Sequence, residues 1–171
     1  MSNKPIANMF ELPAKHGMKG SKFEAYATRL GGAIGAKALG AQYISVPAGK
    51  SAYPLHNHRN NEEMFVILEG NGLYRRGKDS WPIKAGDIIA APAGGPETAH
   101  QINNTGSTDI KYLAISTRDD PDIFEYPDSN KFGFAAGVPE GGSMQAAELF
   151  YVGRKNTAID YWDGEDIGEE E

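Results

Sequence analysis

The sequence predicts an all-β fold, a sandwich or barrel of short strands. Runs of β-favouring residues about four to eight long recur from Ala38 to Ser116. The breaks between them draw on 21 glycines and 10 prolines, a supply of turn residues that suits many short strands. No helical segment alternates with the runs, as a parallel α/β sheet would require. At 171 residues the chain is long enough for one well-buried core and short for two, so residues 1–171 are read as one domain.

Taken in order, residues 1–20 read as an irregular lead-in broken by Pro5, Pro13, Gly17 and Gly20, with His16 exposed in it. Phe23 to Leu30 fits helix or strand equally, because eight residues are too few for periodicity to decide. The barrel core is expected over about 38–117. Ala38 to Val46 is strand-like and ends at the Pro47-Ala48-Gly49 turn. Tyr53 to His58, Glu63 to Leu68 and Gly72 to Arg76 follow, the last two separated by the hairpin signal Glu69-Gly70-Asn71-Gly72. Ser80 to Ile83, Asp87 to Ala90 and Thr98 to Asn103 come next, then Ile110 to Ser116, which is apolar on both faces.

Beyond Thr117 the pattern changes, and 118–162 is expected to wrap the barrel or a partner subunit. Arg118-Asp119-Asp120-Pro121-Asp122 is sufficiently explained as a turn. Phe132 and Phe134 alternate with glycines as an edge strand would, Ser143 to Leu149 suits a short helix, and Phe150-Tyr151-Val152 is extended. Residues 163–171 form an acidic tail. Its Asp163, Glu165, Asp166, Glu169, Glu170 and Glu171 carry the whole formal charge of −6. Without those six of the 23 acids, the body balances 17 acids against 17 Lys and Arg. Such a tail reads as a solvated end. No basic stripe marks a nucleic-acid or anionic-membrane partner. No apolar run approaches the roughly 20 residues of a membrane span, and the N-terminus lacks a signal-peptide core, so a cytoplasmic location is expected. Cysteine is absent, which removes thiolate ligands, thiol nucleophiles and disulfides.

The chemistry concentrates at His56-Asn57-His58, Glu63 and His100, which hold three of the four histidines. Histidines two apart on a strand project from one face. Three imidazoles and a carboxylate suit one divalent transition metal, iron, manganese, nickel or zinc. If His56 and His58 face inward, Asn57 faces out. An inward Glu63 carries Phe65 and Ile67 with it, and His100 shares its face with Thr98 and Ile102. The expected pocket is a mostly apolar barrel interior with one polar cluster. The bland alternative is a set of histidines that merely hydrogen-bond in a barrel without metal. Glu62 reads as a solvated charge. Glu97, in a loop before His100, is a weak catalytic candidate beside its reading as a loop acid in solvent.

These residues also carry a family resemblance. Gly49 to Gly70, GKSAYPLHNHRNNEEMFVILEG, resembles the first cupin motif, G-x5-H-x-H-x3,4-E-x6-G, with six residues rather than five before His56. Glu63, six residues before Gly70, takes the motif's acidic position. Gly86 to Asn104, GDIIAAPAGGPETAHQINN, resembles the second motif, G-x5-P-x-G-x2-H-x3-N, with five residues rather than two between Gly94 and His100. The later STRDDPD and EYPDS stretches are similar to those of some uncharacterised bacterial cupins. The resemblance implies a jelly-roll, double-stranded β-helix barrel with N- and C-terminal extensions and a metal on His56, His58, Glu63 and His100. It admits oxygenase, decarboxylase, isomerase and lyase chemistry on a small organic molecule, or non-catalytic binding and sensing. It also implies a homodimer, since cupins commonly pair through terminal strands.

Overall fold

The protein, seen in a computed structural model that describes residues 4–168, is built from thirteen strands and short 3-10 turns. In chain order these are β1 (Lys15–Lys19), β2 (Phe23–Arg29), β3 (Leu39–Val46), β4 (Asn57–His58), β5 (Glu63–Glu69) and β6 (Asn71–Arg76). There follow β7 (Asp79–Lys84), β8 (Ile88–Ala91), β9 (His100–Asn103) and β10 (Ile110–Thr117). The chain ends with β11 (Asp122–Tyr126), β12 (Lys131–Ala136) and β13 (Leu149–Arg154). One sheet runs β1-β2-β3-β10-β5-β8, a second β13-β12-β11-β4 and a third β7-β6-β9. All the strand pairs are antiparallel, and bridges at Ser51–Asn103 and His56–His100 stitch the walls into a jelly-roll barrel.

The core lies between the walls. Ile44 and Val46 of β3, Phe65 and Ile67 of β5, Tyr74 of β6, Ile102 of β9, and Ile110 and Tyr112 of β10 are buried together. Period-two alternation does this, since each pair differs by two residues and so shares a face. β10 is paired on both edges, with β3 and with β5, as its doubly apolar sequence requires. The β5–β6 turn needs Gly70. Its φ is +79°, and a Cβ there would lie 2.5 Å from the carbonyl oxygen of Asp109.

Several expectations need correcting. Residues 15–19 of the lead-in are a strand, paired with β2 across a turn at Gly20. Every β1 residue is exposed, so no alternation betrayed it. The Phe23–Leu30 ambiguity resolves as the strand β2. Only Asn57–His58 of Tyr53–His58 is strand. Thr98 ends a 3-10 turn, Pro96–Thr98, and does not lie on the strand of His100. Ser143–Leu149 holds one 3-10 turn, Met144–Ala146, and no α-helix. β12, with Phe132 and Phe134, is an inner strand between β11 and β13. Of the acidic tail, Glu169, Glu170 and Glu171 lie outside the described residues.

Candidate metal centre

The structure brings all four proposed ligands together. The Nε2 atoms of His56, His58 and His100 lie 3.8, 3.7 and 2.8 Å from one oxygen, Glu63 Oε2. His56, His58 and Glu63 each offer a ligand atom within 4.8 Å of the others. The elements explain the convergence. β5 turns Glu63 inward in phase with Phe65 and Ile67, and His100 opens β9 directly after the Pro96–Thr98 turn. That turn absorbs the extra residues between Gly94 and His100. The His56–His100 bridge, with backbone N···O distances of 3.2 and 2.7 Å, sets the two rings side by side, 4.8 Å between centroids.

Each ring is held from behind. His56 Nδ1 lies 2.9 Å from the carbonyl oxygen of Pro54, and His100 Nδ1 lies 3.3 Å from that of Thr98. His58 Nδ1 sits 2.8 and 3.1 Å from the two oxygens of Asp122. All three partners only accept, which assigns the proton to Nδ1 of His56 and His58 and leaves Nε2 for a metal. His100 Nε2 meets the Glu63 carboxylate as a donor here. Moving that proton to Nδ1, where Thr98 accepts it, would free its lone pair as well. The donor set therefore fits a divalent transition metal, and the outer acceptors fix ring orientation as such sites require.

The electrostatics agree with a dehydrated, coupled cluster. Burial, with the like charges of its neighbours, pulls His56 down to about 4. Burial also pulls on His58, but the Asp122 hydrogen bond and the Glu63 charge outweigh it and the net shift is upward. Burial pushes Glu63 up, and the His100 hydrogen bond with the neighbouring imidazoles overrides it, down to about 2. Glu63 thus stays ionised over the whole neutral range.

The cluster opens on a cavity of about 560 Å³, lined near the ligands by Tyr53, Phe65, Tyr112, Phe124 and Tyr126. His56, His58 and Glu63 line it, while His100 lies behind them, 3% exposed. Glu97, the weak catalytic candidate, does not line the cavity. It is exposed on its loop and accepts a hydrogen bond from the Gly95 amide. Glu62 is exposed, as expected of a solvated charge. Asn57 does face away from the histidines, yet it is fully buried within the second sheet, beside Glu125 of β11. Its Nδ2 donates to Gly94 O and to Glu125 Oε2.

Asp122 is the functional residue that sequence reasoning missed. Turn geometry accounted for it in Asp119-Asp120-Pro121-Asp122, and nothing local marked the contact with His58. The contact follows from β11 pairing with β4, a register between segments more than sixty residues apart.

Fold and site together identify a cupin. A family model for the cupin domain matches residues 42–116. A predicted oxalate decarboxylase from Thermotoga maritima is 31% identical in structural alignment, covering 66% of this chain and 97% of that one, with a TM-score of 0.57. The chain belongs to the cupin superfamily. It is also similar to an oxalate-binding protein of Thermotoga maritima, 38% identical over 72 residues, 42% of this chain and 56% of that protein. The chain spans 46% to 64% of the length of the curated relatives it matches. The structure of a cupin-superfamily sugar phosphate isomerase from Silicibacter pomeroyi superposes with a TM-score of 0.75, covering 93% of this chain and 98% of that one at 21% identity. At that identity the likeness shows the fold. Among the described residues, no helix is long and apolar enough to cross a membrane.

Proposed function

We propose that this cupin is a metal-dependent enzyme acting on a small organic molecule, with one divalent metal held by His56, His58, Glu63 and His100. The observation that carries the reading is the shared arrangement of the histidines. Each Nδ1 rests on an acceptor while each Nε2 aims at Glu63 Oε2. Four such ligands would leave a metal able to take a substrate oxygen from the cavity, and it would supply polarisation of a carbonyl or carboxylate oxygen of the substrate. The chain's own part is to hold that oxygen's carbon skeleton against Phe65 and Phe124 and to limit water.

The cavity wall carries polar groups as well as apolar ones. Tyr53, Tyr112 and Tyr126 face the site, and burial raises the pKa of each. Like ordinary tyrosines they are protonated at neutral pH, and the upward shift suits them to donate hydrogen bonds to a bound substrate and not to give up the proton. Decarboxylation and isomerisation are the reactions suggested by the names of the similar proteins. The runner-up, binding without catalysis, is suggested by the oxalate-binding relative. Elemental analysis of the protein as purified, followed by assays with oxalate and with aldose and ketose phosphates, tests the proposal. The expected result is about one iron, manganese, nickel or zinc per chain and turnover that chelation abolishes. Metal with tight binding but no turnover would favour the runner-up, and a chain that takes up no metal would overturn both.

We also propose a cytoplasmic homodimer paired through the C-terminal segment. Leu149, Phe150, Tyr151 and Val152 of edge strand β13 are all exposed, as are Tyr161 and Trp162. An apolar edge strand in water invites pairing. The alternative is that these aromatics dock on their own chain, where Phe150 already stacks on Phe124 and Tyr151 on Phe134; the oligomeric state distinguishes the two.

A further inference from the structure

We infer that the cavity mouth is an anion subsite, built by Arg29, Lys37 and Arg118, for a carboxylate or phosphate tail carried by the substrate. The inference rests on the proposed function only for what happens at the other end of that substrate. All three cations line the same cavity as His56, His58 and Glu63.

Two of them arrive on inward-facing rows. Ala25 and Ala27 of β2 pack against the core, and Arg29 is the next residue in phase. On β10, Ile110, Tyr112 and Ala114 face the core, Ser116 continues the row into the cavity, and Arg118 follows one residue past the strand end. A row that begins in a hydrophobic core and ends in arginine places a cation where a barrel normally continues its apolar lining. The room for it is provided by Gly40, opposite Ser116 in the β3–β10 pairing. A Cβ at Gly40 would lie 2.5 Å from Ser116 Oγ and 3.7 and 3.9 Å from Arg118 Cγ and Cδ, so the arginine stem crosses a bare backbone.

The guanidiniums are poorly partnered. Arg29 Nη1 donates to Gly141 O and Arg118 Nη2 to Pro139 O, both at 3.4 Å, on the 138–143 loop. Among the described residues, none of the three cations has a carboxylate oxygen within 4 Å, whereas Arg59 and Arg75 each hold one at 2.8 Å. The acids that share the cavity are largely engaged. Asp122 holds His58, Asp120 accepts from the Gly137 amide, and Glu63 meets the histidines. Asp119 and Glu140 remain, exposed at the rim. The Gly137 amide leaves Asp120 its charge, so the three cations face three acids without a cation partner, Asp119, Asp120 and Glu140, and the case for the subsite rests on the placement and weak partnering of the guanidiniums.

A planar guanidinium prefers the two-oxygen edge of a carboxylate or phosphate to a lone carbonyl at 3.4 Å. An anionic tail seated there would fix one end of the substrate and point its remainder toward the ligand cluster. Tyr53 links the two ends. It lines the cavity beside His56, 6.3 Å between ring centroids, and it feels the Arg29 charge.

The test uses metal-stripped protein, so that the anion site is read without the metal. Orthophosphate and propionate are titrated calorimetrically at pH 7.5 and low salt. One phosphate or propionate per chain is expected to bind to the wild type, and to weaken at least 10-fold in Arg29→Met/Arg118→Met. Arg118→Lys, which keeps the charge and loses the fork, should fall between. Arg75→Met, removing a surface pair elsewhere, should bind like the wild type. Phosphate bound more tightly than propionate assigns a phosphate monoester tail; propionate bound as tightly or more so assigns a carboxylate. Zinc affinity of the double variant is measured beside these and should be unchanged. No binding of either probe by the wild type, or equal binding by the double variant, overturns the inference. A chain that binds phosphate in this way but takes up no zinc would instead overturn the metal-enzyme reading and leave the subsite standing.

Discussion

Replacing Asp122 by Asn removes a charge from behind the metal centre while keeping nearly the same shape. Asp122 is 7% exposed and both its oxygens lie within 3.1 Å of His58 Nδ1, so His58 depends on it for tautomer and orientation. An amide there offers a weaker acceptor on one edge and a donor on the other, which would favour the wrong tautomer. Loss of such an outer partner typically costs 10- to 100-fold in metal affinity, about 1.4–2.8 kcal/mol. The assay is zinc competition against a chromophoric chelator at pH 7.5, with His58→Ala as the deeper limit and Asp128→Asn as a carboxylate-to-amide control on the surface. Acidity adds a signature that general damage would lack. The carboxylate makes His58 more basic toward protons as well as metal, so its removal lowers proton competition. The gap between wild type and variant should therefore narrow as pH falls from 7.5 to 5.5. A variant that binds zinc like the wild type, or loses affinity equally at both pH values, would refute the assigned role.

Four further outcomes are expected. As pH is lowered, zinc affinity of the wild type should begin to fall while still above 6.5, where His58 takes up a proton, keep falling below that, and steepen near pH 4, where His56 follows; chelator competition across pH 4–8 checks the two onsets. The metal-free fold should lose about 3 kcal/mol as pH drops from 6.5 to 4 on account of His56, because the unfolded chain binds a proton there that the buried ring refuses. Urea titrations of the wild type and His56→Phe should show that loss only in the former. Gly70→Ala should destabilise by about 2 kcal/mol or more, since it strains a positive φ and presses a Cβ onto Asp109 O, and a thermal melt should show it with zinc stoichiometry intact. Sedimentation at micromolar concentration should give a dimer, and a Leu149→Lys/Val152→Lys variant should shift it toward monomer; a wild-type monomer would remove the pairing proposal.

Much of the site was legible because its signals are local. His56 and His58 are two apart, and Glu63 leads an apolar strand whose alternation places Phe65 and Ile67 in the core. The Pro96–Thr98 turn hid in the stretch before His100, but did not displace the histidine from the cluster. What escaped was non-local or lacked contrast. β1 has no apolar face, so only its pairing with β2 makes it a strand. Asp122 looks like any turn aspartate until β11 is laid beside β4. Asn57 was read as outward, which is correct for the strand, but the strands that share its sheet, and the Glu125 that meets its side chain, come from the C-terminal third.

That shared sheet changes what residues 118–154 are for. A barrel of strands up to Thr117 would hold the four ligand atoms but not the geometry around them. β11 pairs Phe124 with His58 and Glu125 with Asn57, and so clamps the very dipeptide that aims the second histidine. Glu125 is 4% exposed and is met by Asn57, Arg59 and Lys155, joining β4 to the end of β13 through one buried carboxylate. A buried acid of this kind is tolerable only while its partners are present, because an unpaired one costs several kcal/mol. Two carboxylates from β11 therefore act on neighbouring residues of β4, Asp122 on the His58 ring and Glu125 on the Asn57 amide. The C-terminal sheet supports the histidine–carboxylate cluster proposed to hold the metal, and truncating the chain after Thr117 would be expected to loosen His58 first.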